Sequence, residues 1–351
     1  MNTAYEKLAD ALNALPNAFP RTKTGSDIRL LEYMYTEKEA ELASNLTKEY
    51  ESAKEIAERL NLLSKEVQAG LLYLLKEGKA WMDIVGGRPK FRLAPFVVGS
   101  YEAAVGKMNE EMAILFEQYL NDGGVKSIMK LQPSVHRAIP TMDYSEMEWI
   151  LPYDNVIKII EGANTFRVQD CICRLQQEEL GEGCEAPKHN CLSFSTAKRK
   201  PVEGDITKEE AIKIIKESED AGLVHSVSNV VDGLNYICNC CGCCCGVLRG
   251  ITEWGIENSM ARANYEAKVD EDKCVGCEVC IDRCQVDAIE MIDGKAKINR
   301  EKCLGCALCI STCPTEAIKL LSRPHDEQVE PPKDFGEWEQ MRLNDREKQG
   351  I

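Results

Sequence analysis

The chain has no apolar run long enough to cross a bilayer, because its longest apolar stretches are short and interrupted by charge. Its start, MNTAYEKLAD, lacks the basic stretch and the apolar core of a secretory signal, which predicts a cytoplasmic protein with no membrane span. No G-x-G-x-x-G follows a predicted strand and no P-loop is present, which argues against a self-contained nicotinamide or flavin dehydrogenase. A surplus of positive charge is also missing. The net charge is −15. Residues 1–100 balance 14 basic against 14 acidic side chains, so the deficit lies further along the chain. An acidic body disfavours nucleic acid and favours docking to basic patches on protein partners.

What the chain has in excess is cysteine, 18 in 351 residues. In a reducing compartment this is not a disulfide framework, and metal ligation is the natural use. Two segments 29 residues apart repeat one pattern, DKCVGCEVCIDRCQVDAIEM and EKCLGCALCISTCPTEAIKL. Each contains C-x2-C-x2-C-x3-C, and the second ends in Cys-Pro. Over about 55 residues this resembles the bacterial ferredoxin domain that holds two [4Fe–4S] clusters. Three thiolates of one tight loop wrap three corners of a cubane, and the fourth cysteine reaches the other cluster. The resemblance implies that Cys274, Cys277, Cys280 and Cys313 hold one cluster. It likewise implies that Cys303, Cys306, Cys309 and Cys284 hold the other. Gly276 and Gly305 keep the loops open for backbone N–H groups. Ala288-Ile289 and Ala317-Ile318 read as packed positions of a short helix after each loop. Gln285 stands where the second repeat has Pro314, which loosens a turn but removes no ligand.

Ten cysteines remain, between residues 150 and 267. Val156 to Ile160 reads as a short helix after Pro152 and Asp154. Thr165 to Cys173 alternates like a strand, placing Cys171 and Cys173 on one side of it. Cys184 and Cys191 follow in a loop with glycine and proline that can fold back. These four are candidate ligands of a third cluster, with tetrathiolate zinc as the alternative. Arg174 reads as a surface ion pair, or as a group that hydrogen-bonds to sulfide or attracts an anion, and His189 as a polar loop residue, with metal ligation as the alternative. A helix is predicted over 207–221, then a strand from Asn235 into CNCCGCCCG. That run supplies Cys238, Cys240, Cys241, Cys243, Cys244 and Cys245. Four of the six suffice for a further cluster, which leaves two thiols for a redox-active role, and sharing of ligands between the two cysteine sets is the alternative. Its two Cys-Cys-Gly steps resemble the cysteine-rich domains of heterodisulfide-reductase-type proteins. The layout LPY…CxCR…C…C…CxCCxCC followed by a ferredoxin domain resembles multi-cluster ferredoxin-type proteins of anaerobes, which implies electron transfer.

Residues 27–100 contain no cysteine. Helical patterns cover Glu37–Leu46, Ser52–Leu60 with a Ser52–Glu55 capping box, and Ser64–Gly78 with Ser64 as its cap. Strand, Gly86-Gly87 turn and strand follow over Ala80–Leu93. This order resembles a winged helix-turn-helix. The would-be recognition helix and wing offer Lys65, Lys76, Lys79, Arg88, Lys90 and Arg92, opposed by Glu66, Glu77 and Asp83. That balance favours packing on a partner protein over DNA.

The expected fold is α+β and multidomain: a winged-helix-like domain at 1–100, a helical connector at 101–149, a cysteine-rich α/β iron–sulfur domain at 150–267, a ferredoxin-like domain at 268–322, and a tail at 323–351. The connector holds a helix over Met108–Leu120, and His136-Arg137 reads as a loop. The tail reads as a mobile segment or strap, with Phe335 and Trp338 as anchors. The expected function is electron relay between redox partner proteins through two ferredoxin clusters and one or two more. A redox-sensing DNA-binding regulator and a reductase subunit with its active site at 238–245 are the alternatives.

Overall fold

The computed structural model describes residues 3–350. Helices and strands mix throughout, an α+β chain, and they divide into two compact units. Among the described residues, the first comprises 3–131, 175–182 and 342–350. The second comprises 132–174 and 183–341.

In the first unit, five helices precede a hairpin: Ala4–Asn13, Ser26–Met34, Glu37–Ala43, Ala53–Leu60 and Ser64–Lys76. Thr3, Thr36 and Ser52 each accept from the N–H three residues on, and Glu6, Glu39 and Glu55 return the bond, completing capping boxes. The expected cap at Ser64 is not formed. Asn61 ends the preceding helix in the left-handed conformation, and the chain re-enters helix so soon that Leu63 takes the cap position and Ser64 the first turn. The hairpin joins β1 (Ala80–Val85) to β2 (Arg88–Leu93) around Gly86-Gly87, both with positive φ. Lys79, counted above among surface cations, is buried. It donates to Glu39 at 2.9 Å and lies over the Tyr35 ring. The connector helix spans Glu110–Tyr119, capped by Asn109. The last segment is not a mobile tail. It forms a helix over Phe335–Gln349, and within this unit the buried Arg342 donates to the carbonyls of Pro16, Ile128 and Leu131. By satisfying carbonyls at the end of the helix Val125–Lys130, this guanidinium fixes a segment whose polar composition suggested no fixed place.

The second unit is built on a six-stranded sheet. Its strands are β3 (His136–Ile139), β4 (Thr165–Asp170), β5 (His189–Ser195), β6 (Val224–Ser228), β7 (Tyr236–Cys240) and β8 (Met260–Ala261), in the order β4-β5-β7-β6-β3-β8. All neighbours are antiparallel except β3 and β8. His136-Arg137 is therefore a buried strand, not a loop. Arg137 is held there by Asp154 at 2.9 Å and by the Tyr153 carbonyl. The helices Val156–Gly162 and Lys208–Asp220 cover one face, and Ile160, Phe166, Leu192, Ile215, Val227 and Ile237 fill the core between. Side chains alternate along a strand, so Cys238 and Cys240 lie opposite Ile237, and Cys191 lies opposite Leu192. Residues from Tyr265 onward add β9 (Tyr265–Val269) paired with β12 (Ile318–Ser322), and a hairpin of β10 (Ile289–Ile292) and β11 (Lys295–Ile298). Trp338 is buried and donates to the Ser134 carbonyl, so it does anchor the segment from Pro324.

Candidate metal centres

Two loop–helix repeats build the first pair of sites. Their short helices span Val279–Arg283 and Leu308–Ser311. Ala288-Ile289 and Ala317-Ile318 are packed as expected, but they enter the strands β10 and β12 rather than a helix. Gly276 and Gly305 take positive φ, and a Cβ would stand 2.4 Å from the Gly294 carbonyl oxygen and 2.3 Å from that of Tyr265. Only glycine fits both demands.

The repeats fold so that one cavity is lined by Cys274, Cys277, Cys280 and Cys313, and another by Cys284, Cys303, Cys306 and Cys309. Each thus takes its fourth cysteine from the other repeat. Backbone N–H groups point at the sulfurs: Ala288 to Cys284 at 3.2 Å, Ala317 to Cys313 at 3.3 Å and Ala296 to Cys274 at 3.5 Å. Such donors stabilise thiolate and tune a cluster's potential. Burial works the other way on a bare thiol, and it pushes Cys306 up to about 12. An iron cluster would supply the positive charge that lets these sulfurs stay thiolate. Residues and fold fit two cubanes.

Residues 267–320 match the 4Fe-4S dicluster domain family. No curated protein and no solved structure matches the chain. The match and the cysteine-rich region upstream mark an iron–sulfur, ferredoxin-type protein, whose general chemistry is electron transfer. The dicluster domain is tied into its unit by residues that the spacing of cysteines did not reveal. The buried Arg323 donates to the Cys303, Ala263 and Tyr265 carbonyls. Arg283 donates to the Glu219 and Asp220 carbonyls, at the end of the helix Lys208–Asp220. Arg283 precedes the motif cysteine Cys284 and Arg323 follows the strand β12, and nothing in their sequence context separates them from surface charge.

The ten other cysteines do not group as Cys171/Cys173/Cys184/Cys191 against Cys238–Cys245. Strand β4 ends at Asp170, and a helix begins at Ile172 and runs to Glu179. Cys171 and Cys173 therefore straddle a strand–helix junction instead of sharing a strand face. Cys191 is in β5, not in a loop. Its thiol meets Cys238, which meets Cys240; Cys240 meets Cys245, and Cys245 meets Cys173 beside Cys171. Six sulfurs thus run in series, those of Cys191, Cys238 and Cys240 on the sheet face opposite the hydrophobic core. Cys184 leaves that set. It joins Cys241 at 3.8 Å and Cys244 at 3.7 Å, with Cys243 at 3.7 Å from Cys244.

Arg174 is buried, not on the surface. It donates to Asn190 Oδ1 and to the Asn239 carbonyl, and its Nε has no hydrogen-bond partner among the described residues. Burial alone would lower its pKa, but Cys171, Cys241, Cys240 and Cys184 hold it above its ordinary value. It is a fixed cation between the two sulfur sets. His189 is not in a loop: it opens the strand β5, exposed and paired with Asp170 at 2.7 Å. Behind Cys240 lies a relay not visible in sequence: its sulfur is 3.6 Å from Ser226 Oγ, which is 3.4 Å from His136 Nδ1.

Gln285 joins the cysteine regions. Its side-chain oxygen accepts from the Gly242 N–H at 2.7 Å, and a Cβ on Gly242 would stand 2.3 Å from the Gln285 carbonyl oxygen. Gly242 lies between Cys241 and Cys243, and Gln285 follows Cys284. The departure from proline is a docking contact.

Proposed function

We propose that this protein relays electrons between redox partner proteins through three iron–sulfur clusters. Two are held by Cys274, Cys277, Cys280 and Cys313, and by Cys303, Cys306, Cys309 and Cys284. The third draws its ligands from Cys171, Cys173, Cys191, Cys238, Cys240 and Cys245. The observation that carries this reading is the contact of Gln285 with Gly242, which sets a ligand loop of the dicluster domain directly against the upstream cysteines. Cys277 is exposed, with Val275 and Val279 exposed beside it, so the first cluster has the open side where a partner exchanges electrons. Cys309 is buried and Cys306 half-buried, and the Cys306 carbonyl accepts from the Thr141 N–H of the sheet-bearing part. The path runs from the cluster at Cys277 to the cluster at Cys284 and on to the six-cysteine face.

DNA binding has less support. Lys79 is buried with Glu39, Lys90 faces Glu55 at 3.6 Å, and Arg92 lies over the Tyr50 and Trp81 rings. The same region exposes Leu62, Leu63, Leu72, Tyr73, Met82 and Ile84, which suits a protein surface better than phosphate.

The test is protein purified without oxygen. About twelve irons and twelve sulfides per chain are expected, on four of each per cubane. A low-potential donor should reduce the clusters, and Cys313→Ser should cost about four irons. A colourless protein that no such donor reduces would end this reading.

A further inference from the structure

The four sulfurs of Cys184, Cys241, Cys243 and Cys244 all lie within 4.8 Å of one another. Their closest separations are 3.7, 3.7 and 3.8 Å. A tetrahedron with metal–sulfur bonds of about 2.3 Å has sulfur–sulfur edges of about 3.8 Å. A cubane puts a separate iron beneath each thiolate, which holds the four ligand sulfurs well apart. Among the described residues no other group of His, Cys, Asp or Glu closes up in this way, and neither quartet of the dicluster domain does. The same chain thus builds two kinds of four-cysteine site.

We propose that Cys184, Cys241, Cys243 and Cys244 bind a single metal ion as a tetrathiolate, without sulfide, and that the ion is zinc. The ligand chemistry fits, since four soft sulfurs in tetrahedral array suit zinc or a lone iron. Charge fits as well. Four thiolates around a divalent ion leave two negative charges, and Arg174 is the buried cation beside Cys184 and Cys241. The site has a structural task. It ties the Cys184 loop to the 241–244 turn and so fixes Gly242 against Gln285. Zinc carries no electron, so the station that receives electrons from the dicluster domain is the six-cysteine face, not the turn itself.

The experiment compares zinc, iron and sulfide in the full chain with Cys243→Ser, whose cysteine is exposed, and with Cys184→Ser. Expected is one zinc per chain, bound by four sulfurs at about 2.3 Å in zinc X-ray absorption. Either variant should lose it while iron and sulfide stay constant, and amide exchange at 241–245 should rise. One iron lost without sulfide would overturn zinc in favour of a single-iron tetrathiolate. Loss of about four irons with four sulfides would overturn it in favour of a cubane. Unchanged metal content in both variants would overturn it in favour of free thiols. None of these outcomes bears on the two clusters of the dicluster domain, which Cys313→Ser tests separately.

Discussion

Gln285 shows how one side chain changes the meaning of a repeat. In the second repeat the position after the fourth cysteine is Pro314, which has no side-chain acceptor. In the first it is Gln285, and its oxygen takes the Gly242 N–H at 2.7 Å. Gln285→Pro removes that acceptor and none of the ligands. It should cost about 1 kcal/mol of stability, the net value of one hydrogen bond. Iron and sulfide should stay constant, and electron passage from the dicluster domain to the upstream cysteines should slow about tenfold, by rapid-freeze spectroscopy after reduction. Unchanged kinetics would remove Gln285 from the path. Arg174 makes a similar point about charge. An arginine next to a cysteine reads as surface chemistry until the fold buries it.

At the scale of elements, the strand β3 is the clearest difference from expectation. HRAI lacks alternation, because all four of its residues are buried. Periodicity therefore gave no strand signal, and the prolines nearby suggested a loop. Burial in the sheet has a consequence for His136, which is held down to about 4 by loss of solvent. The unfolded chain takes a proton near pH 6.5, while the folded chain resists it. The contribution of His136 to stability is thus complete above about pH 6.5 and is lost as pH falls through 4, a span worth about 3 kcal/mol. His136→Gln should abolish this acid-side loss, so wild type should fall relative to the variant by about that amount, measured by denaturant unfolding at fixed metal content. A pH-independent difference would show that the imidazole titrates normally. The junction at Cys171 follows the same logic. Alternation continues through residue 173, yet the helix from Ile172 is the element that forms, and it delivers Cys173 to Cys245.

For the whole molecule, charge sets the encounter with partners. The net charge of −15 predicts that electron exchange with a basic partner falls as salt rises. Between low and about 0.3 M salt the second-order rate should drop by about tenfold, read by stopped-flow. An acidic partner should show the opposite trend. A rate indifferent to salt would place the docking on apolar contacts such as those around Val275.

The dicluster domain was legible in the sequence because its cysteines are local. Three cysteines lining each cavity lie within seven residues, and the fourth comes from the other repeat. Gly276 and Gly305 were legible for the same reason, since one residue's φ and one close approach decide them. Capping boxes at Ser52 and the Gly86-Gly87 hairpin are also local events. The partition of the other ten cysteines was not local. Cys184 reaches Cys241 across 57 residues, and Cys191 reaches Cys238 through the pairing of β5 with β7. Sheet order and register choose those neighbours, and a list of spacings contains neither. The sequence alone determined that this chain holds iron–sulfur clusters in a 4Fe-4S dicluster domain. Only the tertiary structure decided which upstream sulfurs meet, because thiolates bind metal by proximity in space and the backbone sets that proximity through strands far apart in the chain.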